Sequence, residues 1–113
     1  MKEENIIIQR LYNQGLTGKK FEKAEEVVDW LGAVQAQDFP AAKWALGLRL
    51  KNAQDIDIEK SFNEGRILIT HLLRPAWHFV TPKDILWMLQ LTAPRVRAIM
   101  GHYTRKLELT QFV

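Results

Sequence analysis

Residues 66–84 read RILITHLLRPAWHFVTPKD, and this run decides the fold. Ile67, Leu68, Ile69 and Thr70 are strand formers, as are Trp77, Phe79 and Val80. Leu73-Arg74-Pro75-Ala76 lies between them, turn-sized and proline-bearing, so the two runs predict an antiparallel hairpin. Thr81-Pro82-Lys83-Asp84 then predicts a helix start. Thr81 can cap, Pro82 suits the first helical position, and Asp84 can complete a reciprocal capping box. Ile85, Leu86, Met88 and Leu89 continue that helix. Pro94 opens or kinks another, through Val96, Ile99, Met100 and Tyr103.

Upstream of the hairpin the pattern is helical. Glu3 and Glu4 precede Ile6, Ile7, Ile8, Leu11 and Tyr12, which predicts an amphipathic helix over roughly 3–14, ended by Gly15. A second helix covers about 24–31, with Val27, Val28 and Leu31 on its apolar face. Gly32 is its plausible stop, although Ala33, Val34 and Gln35 can prolong it. A third starts near Pro40 and carries Ala41, Trp44, Ala45 and Leu48 on one side. Asp55 or Asp57 caps a short fourth helix, through Ile58 and Phe62, which Gly65 ends. Helices followed by a hairpin define the expected class: mainly α with a two-stranded β-hairpin, a winged helix-turn-helix in one domain over 1–113.

The chain has 113 residues, 47% hydrophobic and 26% charged, an ordinary mixture for a packed domain and a poor one for disorder. It has no cysteine, which excludes disulfides and thiolate metal sites. No signal peptide or membrane-length apolar run is visible, so a cytoplasmic protein without a membrane partner is the default. The net charge is +3, but it is uneven. Residues 1–65 hold 9 Lys/Arg against 11 Asp/Glu, and residues 66–113 hold 7 against 2. A basic second half is compatible with nucleic acid binding, and equally with a solvated face.

The stretch 31–44, LGAVQAQDFPAAKW, holds the candidate reacting pair, Gln35 and Gln37. On an extended backbone both amides fall on one side, because side chains alternate there. On a continuous helix they sit about 200° apart and cannot act on one atom. Pro40 restricts Phe39 to the extended region, which favours a junction just past a helix end. Asp38 is a third candidate, either as a helix cap or as a carboxylate stabilising positive charge.

These segments carry a resemblance. LGAVQAQDFPAAKWALGLRL at 31–50, followed by RILITHLLRPAWHFVTPKDILWMLQLTAPRV at 66–96, resembles the N-terminal region of the AlkZ/YcaQ family of winged-helix DNA glycosylases. The resemblance runs through most of residues 5–100. It implies a chain that is the N-terminal fragment of a longer tandem winged-helix protein, with those further units and alkylated double-stranded DNA as partners. It also implies a monofunctional glycosylase that excises N7-alkylated or crosslinked purines, uses no cofactor, and is inactive as this fragment alone. The family's catalytic motif, Gln-Φ-Gln or Gln-Φ-Asp, falls on Gln35-Ala36-Gln37, with Ala36 as the apolar middle residue turned into the core. Thr70-His71, Arg74 and Trp77-His78 match the family's hairpin, while Ala76 stands where a threonine is expected.

Glutamines suit such chemistry. An N7-alkylated purine is already a cationic leaving group, so little acid catalysis is needed as an oxocarbenium-like state forms. What remains is to hold a water at the sugar carbon and aim amide dipoles at developing charge. Arg74, at the hairpin tip, can contact a DNA phosphate or simply be an exposed turn residue. Lys43 and Arg49, with Lys51, are the basic residues of a recognition helix at about 40–50, a thin footprint for groove reading. His71 and His78 lack helical metal-ligand spacing, so no metal is expected and both read as hairpin hydrogen-bonders. Trp30, Trp44, Trp77 and Trp87 read mostly as core. The alternative class is a non-catalytic winged-helix DNA-binding or regulatory module, and a third is a unit for protein contacts.

Overall fold

A computed structural model describes residues 2–73 and 76–107. The described elements are α1 (Glu3–Asn13), α2 (Ala24–Leu31), β1 (Val34–Gln35), α3 (Phe39–Gly47), α4 (Asp55–Asn63), β2 (Leu68–Leu72), β3 (Ala76–Val80) and α5 (Pro82–Lys106). The fold is mainly helical with one small antiparallel sheet of order β1-β3-β2. That sheet has three strands, not the two of the predicted hairpin. β1 is two residues long, too short to show a period, and it exists only through its non-local pairing with β3.

Two apolar layers sandwich the sheet. On one side Phe79, Ile67, Ala36 and Ala42 join Val27, Val28, Leu46 and Ile58 in a core under α2, α3 and α4. Phe79 is its hub, with its ring 5.8 Å from Phe39 and 6.2 Å from Phe62. On the other side Leu72 and Val80 pack on Met88 of α5, with Ala33, Leu68, Ile85 and Leu89 around them. Strand alternation sorts the two sets. Val34, Phe79 and Ile69 form one cross-strand row facing the first core, and Leu68 pairs with Val80 on the second.

The third helix faces the reverse of a simple hydrophobic reading. Its predicted stripe of Ala41, Trp44, Ala45 and Leu48 lies largely outward, with Trp44 72% exposed. The core instead takes Ala42, Leu46 and the aliphatic length of Lys43. Both faces of this helix are apolar, and only tertiary contact chooses between them. The tryptophans correct their reading too, since each of the four is more than a third exposed. Their rings lie over smaller structures: Trp30 sits 5.5 Å from Phe21, and the Trp87 indole N–H donates to Asp84 at 2.9 Å.

The helix ends follow local chemistry with three changes, the first at α4, where Gln54 rather than Asp55 or Asp57 is the N-cap and the Asp57 carboxylate accepts from the Gln54 amide at 2.8 Å. Asp38 accepts from the Ala41 amide at 3.1 Å and so caps α3. The predicted reciprocal box at α5 does not form; the Thr81 hydroxyl donates straight to the Asp84 carboxylate at 3.2 Å. Pro94 neither opens a new helix nor ends the old one, for α5 runs on through it to Lys106. The turn after α1 needs glycine. Gly15 has φ +71°, and a Cβ there would lie 3.2 Å from the Trp30 ring.

Candidate active site

The two glutamines stand on an extended segment. Gln35 and Gln37 are exposed, while Ala36 between them is 2% exposed and belongs to the main core. Ala36 thus anchors the segment from below, and its amide donates to the Trp77 carbonyl at 2.7 Å. Ala33, two residues before Gln35, packs against the second cluster. Gln35 is the last residue of the outer strand β1, and Gln37 lies two residues further on, past the end of that strand.

Gln37 is held in a defined way. Regular pairing of β1 stops at Gln35, and the Trp77 amide N–H donates instead to Gln37 Oε1 at 3.1 Å. The side chain takes the place of the next strand carbonyl. An N–H donor must meet the oxygen, so the amide orientation is fixed, with Nε2 left to donate elsewhere. Oε1 keeps a second lone pair. Among the described residues the Gln35 amide has no hydrogen-bond partner in the protein. Its strand partner is His78, which is nearly buried. The His78 Nδ1 lies 2.9 Å from the Ala76 carbonyl, and since a carbonyl only accepts, Nδ1 carries the proton. Beside it, the His71 ring stacks on Trp77 with centroids 3.8 Å apart.

Gln35 also lines a cavity of about 350 Å³ with Gln14, Leu31, Ala33, Val34, Ala45 and Arg49. Sequence spacing gives no sign that Gln14 reaches this region, because only the packing of α1's end on α3 brings it there. His78 likewise joins Gln35 only through strand register. Gln37 does not line that cavity, so the pair stands at one end of the outer strand without sharing that pocket.

The remaining candidates separate. Asp38 spends its carboxylate oxygen on the α3 cap. Arg74 lies outside the described residues. Lys43 is 8% exposed, and its ammonium is bound to Glu59 at 2.9 Å and Asp55 at 3.0 Å, with the Phe39 ring 5.1 Å away. It fastens α3 to α4 and points no free charge outward. The Glu59 and then the Asp55 hydrogen bond hold this ammonium above the ordinary lysine range. A raised value means stabilisation that is complete at neutral pH and is lost as pH climbs past about 10.4. Thermal melts should therefore fall above roughly pH 10 more steeply in the parent than in Lys43→Met. Parallel curves would deny the triad a stabilising role. Among the described residues no cluster of three or more His, Cys, Asp or Glu can hold a metal, and no helix is long and apolar enough to cross a membrane.

The polar pair raised on buried Ala36 thus stands beside a half-exposed aromatic hairpin. The match to the family model described as DNA glycosylase AlkZ-like covers residues 28–111 of the 113, and the chain belongs to that family. This span contains both glutamines, the whole sheet and α5. Comparisons with curated proteins and with solved structures give no match. The family supports a role in DNA repair, with DNA as the partner.

Proposed function

We propose that this chain is the DNA-binding and catalytic portion of a glycosylase that hydrolyses the N-glycosidic bond of N7-alkylated or crosslinked purines in double-stranded DNA. One observation carries the reading: Gln35 and Gln37 are exposed on a single extended segment whose middle residue, Ala36, is buried in the core. The alternative of a continuous helix would have split the amides to opposite sides. Gln35 and Gln37 are the catalytic residues. The Gln35 carbonyl accepts from the attacking water, and the Gln37 amide, steadied by the Trp77 N–H, holds that water or a sugar oxygen against the reacting carbon. A neutral amide is a weak base, so the contribution is position and dipole, which suffices for a leaving group already positive. The helices and three-stranded sheet make a winged-helix unit, one of several in a longer cytoplasmic protein. The tandem units complete the grip on the duplex.

The intact protein, incubated with duplex DNA bearing N7-methylguanine, should release free N7-methylguanine and leave an abasic site. It should leave undamaged guanine in place, since a neutral purine departs too slowly. Tight binding to the damaged duplex with no release over hours would reassign the chain to a non-catalytic DNA-binding module.

A further inference from the structure

Among the described residues Arg49 is a cation without an anion. Its guanidinium is partly buried between the end of α1 and the end of α3, where Nε donates to the Gln14 carbonyl at 2.7 Å and Nη1 to the Ala45 carbonyl at 2.6 Å. Those acceptors are neutral. Among the described residues no carboxylate lies within ion-pairing distance of it, although Lys43, Lys51, Lys60, Arg66 and Lys83 each have one. A guanidinium carries five N–H donors, and the two carbonyl bonds leave three of them unused. Partial burial of an unpaired charge is unfavourable, and here burial lowers its proton affinity. The cavity beside it is lined by Gln14 and Gln35, and otherwise by small or aliphatic residues.

We infer that this cavity is a seat for one phosphate of the DNA backbone, held by the free edge of the Arg49 guanidinium with the Gln14 and Gln35 amides as added donors. The inference rests on the glycosylase reading only for the identity of its ligand as DNA. The fork of a guanidinium matches two phosphate oxygens. Two uncharged amide donors complete the shell without an acid that would repel the anion. Because Gln35 lines the seat, a phosphate bound there fixes the strand relative to the proposed reacting group. Gln14 precedes the span that matches the family, so part of the seat comes from a stretch outside it. Arg49 positions substrate here and touches no reacting atom.

The test uses the intact protein and a short duplex carrying a central, stable abasic-site analogue, with affinity measured across a salt series. Losing one phosphate contact should reduce the slope of log K against log salt by about 0.9. Arg49→Gln should show that change. Ala45→Glu should show it too, because it leaves Arg49 in place and supplies an internal carboxylate one helical turn away. If Arg49→Gln fails to fold, Ala45→Glu decides alone. Lys43→Met, whose charge is already paired, should keep the parent slope. A parent slope in Ala45→Glu overturns the seat, as does a parent that binds no duplex at any salt. Inorganic phosphate that raises the parent's melting temperature while both slopes stay at the parent value would assign the cavity to a free anion and overturn the DNA role. The two proposals fail separately. A changed slope with no base release removes the glycosylase reading and keeps the seat, while base release with unchanged slopes does the reverse.

Discussion

Gln37→Ala should lower base release from N7-methylguanine DNA by about a hundredfold or more, the range found when one positioned donor is removed from a reacting centre. The same change deletes the acceptor for the Trp77 amide. That amide belongs to a residue 39% exposed, so water can replace the lost oxygen and the stability loss should stay near 1 kcal/mol. The two effects therefore differ in size, and measuring both in one variant separates them. Gln37→Glu adds a control. Its carboxylate still accepts from the Trp77 N–H and from water, so it should retain more release than alanine does. Full release by Gln37→Ala, with urea melts intact, would remove this amide from the chemistry.

The largest effect on stability should come from Phe79→Ala. Phe79 is 1% exposed and meets the Phe39 and Phe62 rings. It is also the strand partner of both Val34 and Ile69, so it carries β1 and β2 at once. Removing such a ring typically costs about 3–5 kcal/mol. In a domain of this size the melting temperature should fall by roughly 10 °C or more. Base release should vanish with the fold and return on stabilising co-solvent. A loss below about 1 kcal/mol in urea titration would show that the cavity collapses freely and that the aromatic cluster is not the centre of the core.

How much of this was visible in the chain alone depends on range. The ends of α2, the Asp38 cap and the hairpin strands come from neighbours within a few residues, where turn and cap chemistry is strong. The junction that holds the glutamines was legible from Gly32, which ends α2 ahead of them, but not from Pro40: Phe39, expected to be extended before that proline, opens α3 as its first helical residue, and the extended residue is Asp38. What failed was set at a distance. The third strand needs β3 beside it, and two residues carry no period. The inward face of α3 is decided by Asp55 and Glu59, which neutralise Lys43 from another helix and turn an apparent surface charge into a buried clamp. Gln14 meets Gln35 across a cavity that no sequence spacing announces.

The bond from the Trp77 backbone to the Gln37 side chain has one more effect. The last rung of this sheet is a movable group rather than main chain. Bending or sliding of β3 under a bound strand must drag Gln37 along, with no intervening part to absorb the displacement. Protection of the Trp77 amide proton against exchange with heavy water becomes a gauge of where that glutamine stands. A ligand that draws Gln37 away should unlock the proton, and one that presses it home should slow its loss.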